Sequence, residues 1–220
     1  MLSKLNYWEN LDIRRRPSQM RSKMTVDVIQ EATVKLLSGA DLESVTTKDI
    51  ADLAGVSVGS LYQFFNNKEE IVSSLVFCLM DRTIGVASTL LEARSDLEFH
   101  LFAKDVADHT VDLFVENFAA WRASLQILLR EGKVSIVLTY AFGSLSALCD
   151  AIEAKFGDYI NINRSDYEGA IRSSSSFLRM ELVQFGVPAD TNALKSKFQQ
   201  YILKSFEWDA VRNIAKVHNI

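Results

Sequence analysis

Residues 46–71 read TTKDIADLAGVSVGSLYQFFNNKEEI, and they carry the strongest structural signal in the chain. Thr46 and Asp49 have the spacing of a capping box. In such a box the threonine hydroxyl accepts a hydrogen bond from the Asp49 amide, and the aspartate carboxylate accepts one from the Thr46 amide. The apolar residues that follow share one face at helical spacing. The pattern therefore predicts a short helix over 47–54.

A turn that contains glycine follows this helix. Gly55 favours the positive φ of a tight turn, and Ser57 suits the N-cap of a second short helix over 58–64. Two short helices joined by a turn of three or four residues with a glycine are typical of a helix-turn-helix.

The second short helix has two different sides. At ~100° per residue, Val58, Leu61 and Phe65 share one side, which we expect to pack on the first helix. The other side faces solvent, with Tyr62 at its flank, and carries Gly59, Ser60, Gln63 and Phe64. Glycine inside a helix costs ~1 kcal/mol relative to alanine, and in return it allows a partner to approach the backbone closely.

Double-stranded DNA is a partner that fits this face. Gln63 can form two hydrogen bonds with adenine in the major groove, and Phe64 can contact a thymine methyl group. Lys48, Tyr62, Lys68 and the N-termini of the two short helices are placed to bind phosphates.

Residues 24–72 closely resemble the DNA-binding signature of the tetracycline-repressor (TetR) family. The resemblance lies in the IAxxAGVS run, the GxLYxxF run and the KEE that follows them. It implies an all-α homodimeric transcription factor whose three N-terminal helices bind DNA and whose larger C-terminal helical domain binds a small effector and dimerises. It implies backbone contacts by Thr46, Lys48, Ser57, Tyr62 and Lys68, and base contacts by Gly59, Ser60 and Gln63. The second short helix contains no Arg or Lys, the residues that recognise guanine through two hydrogen bonds. We therefore expect specificity to depend on Gln63, the N-terminal basic arm and DNA shape.

The rest of the chain also has a helical pattern. Its 220 residues include two prolines and nine glycines, which favours long helices over a turn-rich β fold. After a first helix over 25–37, long amphipathic helices are predicted near 68–93, 97–118, 121–131, 133–156, 164–186 and 191–216. The fold class is therefore all-α, with an N-terminal three-helix helix-turn-helix domain followed by a larger C-terminal helical bundle.

The N-terminus is basic, although the whole chain carries a net charge of −4. Residues 1–23 hold six Lys or Arg side chains against two acidic ones. Arg14-Arg15-Arg16 before Pro17 indicates a mobile arm. Such an arm can reach into the minor groove of DNA, or it can be a solvated tail, and both interpretations stay open.

Three segments are expected: the arm over 1–23, the helix-turn-helix domain over 24–72, and an effector-binding and dimerisation domain over 73–220. The resemblance implies a homodimer interface from the helices near 164–186 and 191–216. One apolar stripe of the last helix includes Leu194, Phe198, Tyr201 and Ile202. Such stripes can instead pack inside the monomer. A two-fold dimer would present two reading helices to a palindromic operator with half-sites about one turn apart.

The expected effector site is a cavity between the C-terminal helices. The candidates for its lining are Phe102, His109, Trp121, Tyr140, Phe142 and Phe177. These residues can equally be plain core. Few charges lie on the inner faces, which favours a hydrophobic or amphipathic effector, and its binding is expected to shift the helix over 68–93 and release a repressor from DNA. His100 and His109 point to opposite sides of one helix, so they cannot share a metal ion.

Other classes of function lack their signatures. Cys78 and Cys149 are too far apart for a zinc site or a disulfide framework, and buried thiols fit a reducing cytoplasm. The sequence shows neither a signal peptide nor a run of ~18 apolar residues. G-x-S-x-G and phosphate-binding glycine loops are absent, so we expect no enzyme and no cofactor. Two alternatives remain: a helical adaptor that binds protein through 46–65, and an α-helical enzyme of unrecognised chemistry.

Overall fold

The computed structural model describes residues 14–93, 98–156, 169, 181, 182, 184 and 186–203, and for 134, 138, 142–145 and 147 it describes the backbone alone. Within these residues all regular secondary structure is helical, which confirms the all-α prediction. The helices are α1 Met20–Gly39, α2 Thr47–Ala54, α3 Val58–Leu61, α4 Lys68–Ala93, α5 Phe99–Glu116, α6 Phe118–Arg130 and α7 Val134–Phe156. Residues 191–203 are helical as well.

Most helix limits agree with the sequence pattern. α2 and α4 have the predicted bounds, and α5, α6 and α7 follow the prediction closely. α1 begins earlier than predicted, because the Ser22 hydroxyl accepts from the Gln19 amide at 3.1 Å and donates to the Gln19 carbonyl at 2.7 Å. The predicted helix near 164–186 lies mostly outside the described residues, as does 204–216 of the last one.

The chain divides into two compact units. The first, here the N-terminal unit, comprises Leu5–Met80 and Glu116–Ala141. The second, here the C-terminal unit, comprises Met1–Lys4, Asp81–Val115 and Phe142–Ile220. The unit that holds the helix-turn-helix thus includes α6, which packs against α1. The predicted domain limits at residues 23 and 72 stay predictions.

The N-terminal unit has a core to which each of its helices contributes. Its fully buried large side chains include Ile29, Ile50, Leu61, Phe65, Ile71, Leu75, Phe77, Ile127 and Leu128. Burial of one such side chain stabilises the fold by ~1.5–3 kcal/mol. This core fixes the inner sides of α2 and α3, so that their other sides face solvent.

Buried hydrogen bonds join α1 and α6 to α4. Gln30 Nε2 on α1 donates to Ser74 Oγ on α4 at 2.7 Å. Ser124 Oγ on α6 donates to the Ser73 carbonyl at 3.1 Å and accepts from the Val76 amide at 3.2 Å. An unsatisfied buried polar group costs ~1–3 kcal/mol, so these bonds favour one register of the three helices.

The C-terminal unit is held by aromatic contacts and an ion pair. The Phe156 ring lies 5.5 Å, centroid to centroid, from both Phe99 and Phe102. Lys195 Nζ lies 2.6 Å from Asp112 Oδ1, which joins the 191–203 helix to α5.

α4 is long and apolar enough to cross a membrane if length and composition alone are considered. Half of its most apolar window is buried inside the protein, as is usual for a core helix. Ile71, Val72 and Leu75 belong to this buried half. Length and hydropathy are therefore weak evidence for a membrane span here.

Candidate DNA-binding surface

The first turn of α2 is held by the predicted capping box. Thr46 Oγ1 accepts from the Asp49 amide at 3.2 Å, and Asp49 Oδ2 accepts from the Thr46 hydroxyl at 2.6 Å and from the Thr46 amide at 3.0 Å. The Thr46 hydroxyl, then its amide, lower the pKa of Asp49 below its ordinary value. Because both donors of Thr46 are used within the cap, a phosphate at this end of α2 would meet the main-chain amides of the first turn.

Gly55 makes the turn between α2 and α3. Its φ of 68° and ψ of 28° lie in the left-handed region, and its amide donates to the Asp52 carbonyl at 3.3 Å. This conformation confirms the predicted role of the glycine. Ser57 Oγ accepts from the Ser60 amide at 3.0 Å and caps α3, also as predicted.

α3 is shorter than the predicted helix over 58–64. Its α-helical span ends at Leu61, and the amides of Gln63 and Phe64 bond to carbonyls three residues back. Residues 62–64 therefore form a tighter turn. The prediction is correct for the first half of the segment and wrong for the second.

Phe64 does not face solvent. Its side chain is only 5% exposed, beside the fully buried Leu61 and Phe65. The prediction that Phe64 contacts a thymine methyl group is therefore wrong. The reason is the tightening after Leu61, because a uniform 100° step per residue no longer gives the direction of the following side chains.

The solvent side of this turn carries the other candidate base contacts. Gly59 and Gln63 are exposed, and Ser60 is partly exposed. A Cβ on Gly59 would meet only the Ser57 hydroxyl, at 3.8 Å, among the described residues. Packing within this part of the chain therefore does not require a glycine, which favours close approach by a partner.

Tyr62 connects this turn to α2. Its hydroxyl lies 3.1 Å from the Thr47 hydroxyl, and its side chain is 37% exposed. Thr47 was not among the predicted site residues. No sequence signal pairs a threonine with a tyrosine fifteen residues later, so only the fold reveals this contact.

Lys48 and Lys68, both predicted phosphate contacts, are held differently. The Lys48 side chain is 79% exposed, and its Nζ lies 3.6 Å from Asp52 Oδ2 one turn later. Lys68 Nζ is partly buried and donates to the Leu42 carbonyl at 2.6 Å. Lys48 is thus accessible to a phosphate, whereas Lys68 holds the loop between α1 and α2.

The basic arm lies against the turn after α3. The Arg14 amide donates to the Phe64 carbonyl at 3.1 Å, and the Arg14 guanidinium donates to the Tyr62 carbonyl at 3.2 Å. Pro17 is buried, while Arg15 is exposed. From Arg14 onward, the arm predicted to be mobile is therefore attached to the helix-turn-helix.

Three candidate effector residues are buried, but in different units. Phe102 packs within the C-terminal unit. Trp121 and Tyr140 belong to the N-terminal unit. Trp121 stacks on Phe118 with ring centroids 6.2 Å apart, and Tyr140 and Phe77 form a T-shaped pair with centroids 5.3 Å apart. These contacts are those of core aromatics, and the role of the three residues in effector binding stays a prediction.

The other three candidates for the lining of the effector site are His109, Phe142 and Phe177. His109 is exposed, and its Nδ1 lies 2.7 Å from the Asp105 carbonyl one turn earlier. An exposed imidazole can line a cavity only where that cavity opens to solvent, and the role of His109 in effector binding stays a prediction. The side chains of Phe142 and Phe177 lie outside the described residues.

Three residues of the apolar stripe predicted for the homodimer are covered within one chain, while Tyr201 of that stripe is half-buried. Leu194, Phe198 and Ile202 are 6%, 3% and 7% exposed. These side chains therefore pack inside the protomer, which is the alternative that the sequence left open. The exposed side of the 191–203 helix is polar and includes Asn192, Ser196, Lys197 and Gln200.

Residues 29–75 match the family model of bacterial regulatory proteins of the tetR family. The chain is 34% identical over 83 residues to the HTH-type transcriptional repressor KstR2 of Mycolicibacterium smegmatis, a match that covers 37% of this chain and 40% of that protein. Matches to curated relatives span between 26% and 40% of the relatives' own lengths.

Solved structures match over nearly their whole length. The fatty acid degradation regulator FadR of Bacillus halodurans aligns with a TM-score of 0.56 and 20% identity, over 81% of this chain and 94% of that one. The TetR family repressor AlkX of Dietzia aligns with a TM-score of 0.54 and 16% identity, over 82% and 96%. These likenesses show the fold, and the match over 29–75 falls on the helix-turn-helix. Within this chain, residues 29–75 therefore belong to the tetR family of bacterial regulatory proteins.

Proposed function

We propose that this chain is a sequence-specific DNA-binding transcriptional regulator of the cytoplasm, a repressor that a small-molecule effector releases from its operator. The solvent side of the α3 turn carries the proposal. Gly59 and Gln63 are exposed there, while Leu61, Phe64 and Phe65 of the same turn are buried. A rigid turn with an open glycine and an exposed carboxamide suits a partner whose polar edges come close to the backbone.

Gln63 is the proposed base-reading residue. Its carboxamide offers one acceptor and a donor group, the combination that adenine N6 and N7 require in the major groove. Ser60 Oγ lies 2.8 Å from Ser57 Oγ, so its hydroxyl is oriented within the capped first turn. Gly59 leaves room for the DNA to approach. Because residues 58–64 contain no Arg or Lys, the remaining specificity is proposed to come from the arm and from DNA shape.

Phosphate contacts are proposed around this reading turn. Lys48 is accessible, and the Tyr62 hydroxyl is held by Thr47 at the same edge. The hydroxyls of Thr46 and Ser57 cap their helices, so the amides of those first turns are the proposed phosphate donors there. These contacts position the protein, and they carry no sequence information themselves.

A homodimer fits this function, because a palindromic operator presents the same half-site twice, about one helical turn (~34 Å) apart. We propose that residues 164–216 form the interface, through the polar side of the 191–203 helix and not through its buried stripe. Two reading turns would then enter successive major grooves.

The effector is proposed to be hydrophobic or amphipathic and to bind in the C-terminal unit. Phe99, Phe102 and Phe156 supply aromatic surface there. The Thr110 hydroxyl on α5 is buried without a hydrogen-bond partner in the described residues, and it could orient a polar group of such a ligand. Release requires that the effector bind the free and DNA-bound states with different affinity. α4 contributes residues to both units, so it is the proposed link.

A selection of duplexes from a random DNA pool, with purified protein at two salt concentrations, tests the proposal. We expect recovery of a palindrome with half-sites about one turn apart. Failure to enrich any sequence at either salt, with the protein folded and free of ligand, would contradict it and favour a protein-binding adaptor.

A further inference from the structure

We infer that Arg14 is a positioning residue for base reading, because it holds the turn that carries Gln63. Loss of its guanidinium should change how well the protein distinguishes bases, and not only how tightly it holds DNA. This inference rests on the proposed function and deepens it.

Two carbonyls flank Gln63 in the chain, and Arg14 binds both. Its guanidinium donates to the Tyr62 carbonyl at 3.2 Å, and its main-chain amide donates to the Phe64 carbonyl at 3.1 Å. The backbone is therefore held on both sides of the residue that is proposed to read the base.

The turn needs such support because the carbonyls of Tyr62 and Phe64 accept no hydrogen bond from its own amides. α3 has four residues, and the carbonyls at the end of a helix lack partners within it. Beyond Leu61 the chain continues as a tighter turn, whose hydrogen bonds have poorer geometry than those of an α-helix. Phe64 fixes this turn from the core side, and Arg14 fixes it from the exposed side.

Arg14 is itself held in place by the residues between it and α1. Pro17 is buried, and the Ser22 hydroxyl binds both the amide and the carbonyl of Gln19 at the start of α1. The short segment between Arg14 and α1 is thus anchored at its far end. Because the segment that carries Arg14 is anchored at α1, the hydrogen bonds of Arg14 can hold the turn in one position. A loose tail could not do so.

The experiment compares Arg14→Ala with Arg15→Ala, its neighbour, which removes the same charge from an exposed side chain. Affinities are measured for the selected operator and for the three duplexes changed at the base pair whose preference Gln63→Ala weakens most without abolishing it. Arg14→Ala should lower discrimination at that base pair by about 2- to 10-fold, the range expected for one lost hydrogen bond. Arg15→Ala should weaken all four duplexes equally.

Two further variants separate positioning from a general structural effect. Arg14→Lys keeps the charge and one donor toward the Tyr62 carbonyl, so it should retain most of the discrimination. Combining Arg14→Ala with Gln63→Ala should reduce discrimination no further than Gln63→Ala alone, since the first change acts through the second residue.

Two results would contradict the inference, and they can be told apart. If Arg14→Ala weakens all four duplexes equally and lowers the salt dependence of binding as Arg15→Ala does, Arg14 is a phosphate contact and the inference is wrong. If the unchanged protein does not distinguish the four duplexes, the proposed function itself fails, and the inference fails with it. Circular dichroism of each variant shows that it is folded. If Arg14→Ala is not, Arg14→Gln, which removes the charge but keeps an N–H donor, should retain most of the discrimination, and an equal loss of affinity for all four duplexes would contradict the inference.

Discussion

Phe64 is buried while Gln63, the residue before it, is exposed, because the chain tightens after Leu61 from α-helical to three-residue hydrogen bonding. Two neighbouring residues thus have separate tasks. Phe64 anchors the turn in the core of the N-terminal unit, and Gln63 is presented to solvent. The division predicts opposite effects for substitutions at the two positions.

Phe64→Ala should lower the free energy of unfolding by ~3–5 kcal/mol, because it removes a buried aromatic ring. Gln63→Ala should leave that free energy within ~0.5 kcal/mol of the original, but should reduce discrimination at one base pair by ~1–3 kcal/mol. Urea unfolding and binding to matched duplexes measure the two effects. A Phe64→Ala protein of undiminished stability that binds DNA poorly would show that the ring acts at the DNA and not in the core.

Lys48→Ala and Lys68→Ala should differ, since only Lys68 is bonded to the Leu42 carbonyl. Lys48→Ala should weaken binding to all sequences alike, and should reduce the slope of log affinity against log salt by about 1 without loss of stability. Lys68→Ala should lower the free energy of unfolding by about 1 kcal/mol through the lost hydrogen bond. If both variants reduce the slope of log affinity against log salt equally and neither loses stability, Lys68 is a phosphate contact and does not stabilise the loop.

Asp49 gives the N-terminal unit a pH-dependent contribution to stability. The Thr46 hydroxyl and amide lower its pKa in the folded state below the ordinary value of 3.8. A carboxyl group with a lowered folded pKa stabilises the fold above its unfolded pKa, and this contribution is lost as the pH falls through the folded pKa. Asp49→Asn should therefore lower Tm at pH 7, and the difference from the original protein should shrink below about pH 3.8.

A second substitution separates this effect from the intrinsic preference of the helix. In a Thr46→Val background the carboxylate has lost its side-chain donor, so Asp49→Asn should change Tm less than it does alone. A Tm difference that is the same at every pH and in both backgrounds would contradict the role of the capping box.

Thr47 and Tyr62 should be energetically coupled. Their hydroxyls lie 3.1 Å apart at the exposed edge of the helix-turn-helix. A double-mutant cycle of Thr47→Val and Tyr62→Phe in urea unfolding should give a coupling of ~0.5–1 kcal/mol. Additive effects would show that the bond does not form in solution.

Local signals in the sequence predicted much of this fold. The capping box of Thr46 and Asp49, the turn at Gly55 and the cap at Ser57 each depend on residues a few positions apart. The limits of α4 follow from an uninterrupted apolar period between turn residues. The residues that form these features are neighbours in the chain, so the features can be recognised from the sequence alone.

Contacts between distant residues could not be predicted in this way. Arg14 and Tyr62 are 48 positions apart, Lys68 and Leu42 are 26 apart, and no period relates them. The direction of Phe64 was also missed, because it depends on where α3 stops. The lining of the effector site stays a prediction for the same reason, since it is assembled from helices far apart in the chain.

The proposed function depends above all on the reading of DNA sequence by the α3 turn. The most direct measurement is a titration of the protein with the selected operator and with a scrambled duplex of the same composition, over a range of ionic strengths. We expect at least ~10³-fold tighter binding of the operator at physiological salt, with both affinities falling steeply as salt rises. Equal affinity for the two duplexes, or binding that salt does not weaken, would contradict it.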